Sequence, residues 1–251
     1  MGTVVSIDVR PPFVDAPVID DAVAWLHDVD ERFSTYKPRS EISRLARGEL
    51  LEAECSASVR QVLSMCAGIH RDSNGAFDVW HCAPGGGLDP SGLVKGWAVD
   101  GAAQILERGG ATNFCINAGG DVLARGRGSQ ASPWRVGIRH PHHADKVAAV
   151  VLAEDLAVAT SATYERGEHI VDPRTGRAPR GVMSMTVVGA DLAHADAFAT
   201  AAYVMGLDGL GWLAGAPGFA GYAITHDGRV VMTTAMNSLL ERATGVHHRN
   251  S

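Results

Sequence analysis

The chain reads as an α+β protein, because its strand-like and helix-like segments come in blocks and do not alternate strictly. Three observations predict this. The first is a central series of short runs separated by turn residues: NFCIN, DVLARG, WRVGIRH, VAAVVLA and LAVATS. Such a series points to mixed or mainly antiparallel sheets. The second is helical periodicity in three segments that precede the series. The third is a closing block in which the strand SMTVVG, an alanine-rich helix and a hairpin follow one another.

Taken in order, Thr3 to Val9 alternates apolar and polar residues and predicts a first strand. In DDAVAWLHDVDERF, Val23, Leu26, Val29 and Phe33 fall on one stripe, so a helix is expected from near Asp21. The polar stretch STYKPRSE reads as a loop. A second helix is expected from Ser58 to Arg71, with Val59, Val62, Leu63, Cys66 and Ile69 apolar and Asn74-Gly75 as its stop. HCAPGGGLDPSG, from His81 to Gly92, is a Gly/Pro-rich loop whose spacing matches neither dinucleotide nor P-loop patterns. A third helix is expected from Lys95 to Glu107, stopped by Gly109-Gly110. After the strand series, a helix is expected from Ala193 to Met205. FAGYAIT and VVMTTA then flank His226-Asp227-Gly228 as a hairpin.

Composition narrows the function classes. With 46% hydrophobic and 20% charged residues, the chain resembles an ordinary soluble domain. No apolar run approaches the roughly 20 residues of a membrane-spanning helix. The net charge of −6 argues against nucleic-acid binding, which needs clustered Lys and Arg. An anionic ligand would have to be met locally, by helix ends, a few basic side chains or a metal. Cys55, Cys66, Cys82 and Cys115 form no C-x-x-C pair, so they read as reduced, structural thiols. The opening MGTVVSIDVR alternates like a strand and lacks the apolar core of a signal peptide, so a cytoplasmic location is expected.

Four local patterns offer chemistry. In HADAFATAAYVMG, Asp196 and Thr200 stand four apart and so share a helix face, with alanines leaving room beside them. Both are hard oxygen donors suited to magnesium, which often takes only one or two carboxylates. The same residues also suit a plain helix, with Asp196 favouring the dipole and Thr200 bonding back to the backbone. In EHIVDPRTGRAP, a tight turn follows His169, Ile170, Val171 and Asp172. His169 there is either a general base or merely exposed, and Asp172 can accept the turn's N–H groups. In NAGGDVLARG, Gly119 and Gly120 permit close backbone approach and Asp121 begins a strand. In LDPSGLVKGWAVD, Lys95 is expected at a helix start, where a cation opposes the dipole unless an anion binds. His140, His142 and His143 form a loop cluster that reads as solvated sooner than as a metal site.

Seven segments, in the same order, resemble the ApbE family of FAD:protein FMN transferases: MGT, FSTYKPRSEISRL, GAFDVW, LDPSGLVKGWAVD, NAGGD, ATSATYERGEHIVDPRTG and TVVGADLAHADAFATA. The resemblance covers residues 1 to about 202 and implies one transferase domain over 1–251. In such a fold FAD would lie in a cleft between two subdomains, with its pyrophosphate against Mg2+. It implies Asp196 and Thr200 as side-chain metal ligands, with Gly92 offering a main-chain carbonyl. Met1, Tyr36, Ala76, Phe77, Asp78, Asp89, Lys95 and Ile170 fall at FAD-contact positions, and His169 at the base that activates the acceptor hydroxyl. The implied reaction moves FMN from FAD to a Thr or Ser of an acceptor flavoprotein and releases AMP. Three positions depart from the family pattern: Ala46 replaces a frequent Asn near the metal site, Ala162 a usual Gly, and Pro90 a usual Leu. The first keeps open a magnesium-dependent FAD pyrophosphatase that makes FMN and AMP. A non-catalytic FAD-binding protein is the third reading, disfavoured by the presence of Asp196, Thr200 and His169.

Overall fold

The computed structural model describes residues 3–80, 87–130, 132–162 and 170–242. Strand β1 spans Val5–Arg10. Helix α1 spans Ala16–Phe33, one turn earlier than the expected start, with Pro17 in its first turn, where the missing N–H costs nothing. Its buried stripe is Ala22, Leu26, Val29 and Phe33. Val23 is 40% exposed, which corrects the expected stripe by one residue. The small Ala22 side chain keeps the 4-3-4 spacing that faces the core.

Within the segment read as loop, Glu41–Ala46 forms a short helix, α2. Its N-cap is Ser40, whose hydroxyl accepts the Ser43 N–H at 3.0 Å. Helix α3, Ala57–Asp72, buries all five of its predicted apolar positions. Asn74 and Gly75 then take positive φ angles and end it.

Helix α4 spans Ser91–Arg108 and so begins a full turn before Lys95. Pro90 and Gly92 disguise that start as loop, yet proline is well tolerated just before a helix's first hydrogen-bonded turn. The Asp89 carboxylate secures it by accepting the Ser91 N–H at 3.0 Å. The argument from a lysine at the positive end of a helix dipole therefore fails, since Lys95 sits in the second turn.

The strands follow the predicted series: β2 Asn113–Ala118, β3 Asp121–Arg125, β4 Trp134–His140, β5 His143–Ala153 and β6 Leu156–Ala162. Next come β7 Val182–Gly189 and α5 Leu192–Met205, then α6 Asp208–Ala214, which the sequence reading did not anticipate. Strands β8 Ala220–Thr225 and β9 Val230–Met232 close the fold as the expected hairpin.

Seven strands form one sheet in the order β1-β2-β3-β6-β7-β8-β9, and every pairing among the described residues is antiparallel. The hairpin β4–β5 leaves the chain between β3 and β6 and forms a separate two-stranded sheet. Period-2 alternation sorts the seven-stranded sheet into two faces. Ile116, Leu123, Ala157, Ala159, Met185, Val187 and Ala223 pack against the helices. Val122, Ala124, Val158, Val188, Tyr222 and Ile224 pack on the other face, with Val136, Ile138 and Val151 of the hairpin and Met236. The result is three layers, helices, sheet and hairpin, with an apolar cluster in each gap. Among the described residues no helix is long and apolar enough to cross a membrane.

Candidate functional site

Helix α5 is buried nearly all round, with Asp196 only 6% exposed among apolar and small neighbours. A carboxylate is tolerated there only because charged and polar groups converge on it. Helix α4 supplies the nearest cation. The Lys95 ammonium lies 3.6 Å from Asp196 Oδ2 and in direct contact with Asp121 Oδ2. Asp121, at the head of β3, also accepts the Thr160 N–H of β6 at 2.9 Å through its other oxygen. One turn along α5, Thr200 Oγ1 is 3.2 Å from the Ser161 hydroxyl. Gly92 lies close by: a Cβ there would stand 3.8 Å from Thr200 Oγ1 and 3.3 Å from the Phe77 ring.

Five positions that the sequence analysis singled out, Gly92, Lys95, Asp121, Asp196 and Thr200, thus come together from α4, β3 and α5. Ser161 and Thr160 of β6 were missed, although β6 alternation turns Ser161 toward the same helical layer as Ala157 and Ala159. The side-chain oxygen donors fit magnesium: the Asp196 carboxylate and the Thr200 hydroxyl are both hard ligands. Among the described residues no three His, Cys, Asp or Glu side chains gather to hold a metal alone. A magnesium ion that keeps waters and takes substrate phosphates does not need such a group.

The other predicted positions are more dispersed. Ala76 and Phe77 are buried. Asp78 accepts the Trp80 N–H at 2.7 Å and lies 3.9 Å from His70 Nδ1, which is itself 3.0 Å from the Phe77 carbonyl. The Asp89 N–H donates to the Val79 carbonyl at 2.7 Å, tying this segment to the start of α4. Tyr36 stands 90% exposed between α1 and α2. Ile170 packs, half-buried, against the helical core. Met1 and His169 lie outside the described residues.

Downstream of His169, Asp172 is committed to its turn. It accepts the Arg174 N–H at 2.9 Å, and its side chain pairs with the Arg174 guanidinium. That hydrogen bond holds the Asp172 carboxyl below its ordinary range, against the opposing effect of burial. At the β4–β5 tip, the ring of His140 lies 4.9 Å from that of His143 and 6.0 Å from that of His142. Partial desolvation and the adjacent basic side chains push His140 below the usual histidine range. These three histidines are outside the Lys95–Asp196 cluster.

Asp100, one helical turn beyond Gly96 on α4, fixes how α5 starts. Its two oxygens accept the Leu192 and Ala193 N–H groups at 2.9 and 2.8 Å. Asp191 caps the next donor, the His194 N–H, at 2.9 Å. Together they satisfy the orphan N–H groups of the helix that carries Asp196. Burial pushes the Asp100 carboxyl up to about 6, although its two backbone hydrogen bonds oppose the rise. A cavity of about 510 Å³ opens beside it, lined in part by Trp25, Trp97, Arg108, Arg125 and Asp191. Among the described residues none of the predicted FAD contacts lines this cavity.

Comparison with known proteins gives this cluster its context. The first 168-residue match is 39% identical to the FAD:protein FMN transferase of Rhodobacter capsulatus, covering 63% of this chain and 32% of that protein. The FAD:protein FMN transferase of Haemophilus influenzae is 26% identical over 75% of this chain and 72% of its own length. The chain thus spans about a third of the Rhodobacter relative and under three quarters of the Haemophilus one. Among solved structures, the flavin transferase ApbE of Vibrio cholerae superposes with a TM-score of 0.82 at 24% identity, covering 96% of each chain. The ApbE protein of Thermotoga maritima superposes with a TM-score of 0.78 at 22% identity, covering 96% of this chain and 95% of its own. These likenesses establish the fold. The model of the ApbE family matches residues 1–83 and 81–222, which takes in Gly92, Lys95, Asp121, Asp196 and Thr200, and so the chain belongs to the ApbE family.

Proposed function

We propose that this protein is a magnesium-dependent FAD:protein FMN transferase, working as one domain over 1–251. The observation that carries the reading is the meeting of the buried Asp196 with the half-buried Thr200, Gly92 and Lys95, in a chain whose family relatives bear that activity in their names. Asp196, Thr200 and the Gly92 carbonyl would hold the metal. When bound, magnesium supplies charge neutralisation on the FAD pyrophosphate.

The protein's own residues would then do three things. Lys95 holds phosphate oxygens from the second turn of α4. Phe77, Ala76, Asp78, Asp89, Tyr36, Ile170 and Met1 position the flavin nucleotide. His169 takes the proton of the acceptor Thr or Ser hydroxyl as its oxygen attacks the FMN phosphorus. The bond from that phosphorus to the bridging oxygen breaks, and AMP leaves with the oxygen. Burial of the Asp121 and Asp196 carboxylates keeps the field of these charges strong.

The acceptor would be a flavoprotein with an exposed Thr or Ser in a short motif. The proposed location is the cytoplasm, in keeping with the buried thiol of Cys55 and the half-buried thiol of Cys115. Ala46, at the end of α2 and a departure from the pattern that the family resemblance implies, supports a second reading in which water replaces the protein hydroxyl.

One experiment separates these. The protein is incubated with FAD and magnesium, with and without a candidate acceptor, and the acceptor mass and free AMP are measured. A mass gain of one FMN, with AMP released only when acceptor is present, is the expected result. AMP without acceptor would replace the transferase reading with the pyrophosphatase. Neither product, with FAD bound, would leave a flavin-binding protein.

A further inference from the structure

Lys95 stands between two buried carboxylates. Its ammonium touches Asp121 and is 3.6 Å from Asp196, while the side chains of Asp121 and Asp196 are 4% and 8% exposed. Among the described residues this cation thus lies against two anions, one of which is the proposed metal ligand. Magnesium at Asp196 and the ammonium at Asp196 want the same oxygen atoms, and at a few ångströms in a shielded site the two cations repel strongly. Whatever retains the lysine on its other partner favours the metal.

Asp121 is built for that. It opens β3 directly after the Gly119-Gly120 turn, so its backbone is set by the sheet and not by a mobile side chain. The Thr160 N–H fixes one of its oxygens and leaves the other facing Lys95. The carboxylate is therefore held rigidly, with one lone-pair face already oriented.

We propose that Asp121 is a positioning residue that draws the Lys95 ammonium away from Asp196, so that the Asp121–Lys95 pair sets the site's affinity for magnesium. This rests on the reading of Asp196 as a metal ligand. In the absence of magnesium the lysine is shared and neutralises both acids. As the metal enters, the lysine keeps Asp121 as its counterion and its tip becomes available to a phosphate. No bond is made or broken in this exchange.

The test is calorimetric titration of the full chain with magnesium chloride, without FAD, so that the readout is affinity and not turnover. Asp121→Asn keeps an oxygen for the Thr160 N–H but turns an amide donor toward Lys95. It should weaken magnesium binding by roughly tenfold, within the range of couplings in one charge network. Lys95→Met alone should tighten it several-fold. The double variant Asp121→Asn/Lys95→Met should bind within about twofold of Lys95→Met alone, because without the competitor its anchor has nothing left to position.

An unchanged affinity in Asp121→Asn would overturn the assignment. A double variant about tenfold weaker than Lys95→Met would do so as well, by showing that Asp121 acts without the lysine. Should Asp121→Asn fail to fold, Lys95→Met decides: unchanged or weaker binding overturns the assignment. Parent binding that survives Asp196→Ala would instead remove the metal-site reading itself, and this inference with it.

Discussion

The Asp100 carboxylate of α4 accepts the Leu192 N–H at 2.9 Å, and so one helix caps the first turn of another. Its second oxygen takes the Ala193 N–H. This cross-helix cap orients α5, and hence Asp196 and Thr200, relative to the Gly92 and Lys95 positions on α4.

The cap makes stability pH-dependent with a definite sign. Burial raises the folded-state carboxyl to about 6 from its ordinary 3.8. The folded state therefore holds this proton more tightly than the unfolded chain. The group's contribution is most favourable below about pH 4 and is lost as pH rises through 6. Nearby Asp191 adds to the rise and Arg125 opposes it. His194, beside it, is raised above the usual histidine range chiefly by its hydrogen bond with Asp191. Relative to Asp100→Asn, the parent should lose about 1 kcal/mol of unfolding free energy between pH 5 and pH 7. Urea denaturation of both proteins at the two pH values measures this, and a pH-independent difference would contradict it.

Gly96 is the contact point of the same two helices. A Cβ there would overlap the Leu192 carbonyl and crowd the Ala193 nitrogen, both backbone atoms that cannot swing aside. Gly96→Ala is expected to cost about 2 kcal/mol by overpacking. For a chain of this size that corresponds to a melting temperature lowered by about 4–8 °C. Differential scanning calorimetry reads it directly. The neighbouring Asp100 cap would shift in consequence, so the pH dependence above should also flatten.

Asp196→Asn should abolish magnesium-stimulated FMN transfer, with a fall of about a hundredfold or more in rate. Stability should change little by comparison, because Lys95 retains Asp121. Flavin transfer followed in a gel by flavin fluorescence, together with a thermal melt, separates the two effects. Transfer at the parental rate would exclude Asp196 as the metal ligand.

Tyr36 offers the opposite case. At 90% exposure its side chain contributes little to folding, so Tyr36→Ala should leave the melting temperature within about 1 °C. If it stacks on the flavin, its loss should weaken FAD binding by about 1–2 kcal/mol, as for other base-on-aromatic contacts. Quenching of flavin fluorescence on titration gives the affinity. Unchanged affinity would place Tyr36 outside the FAD site.

The sequence by itself determined the secondary structure wherever one face is buried and the other is not. Apolar residues at the α3 spacing predicted its five core positions, because burial on one side imposes that period, whereas β2 to β8 were legible as short apolar runs bounded by turn residues, several of them, such as β8, buried on both faces. It also determined that Asp196 and Thr200 share a face, since four residues on a helix leave no alternative. Where local signals conflict, the reading failed. Pro90 and Gly92 hid the first turn of α4, six residues proved too short a pattern for α2, and Val23 stood in for Ala22 on α1. Only the tertiary structure decided that β6 returns beside β3 with the β4–β5 hairpin laid over the opposite face. It alone also decided that Lys95 meets both Asp121 and Asp196, and that Asp100 caps α5. Those contacts join α4, β3 and α5 across long stretches of chain. Their geometry depends on how layers pack, with Gly96 under Leu192 and small residues along α5, and no local period encodes that distance.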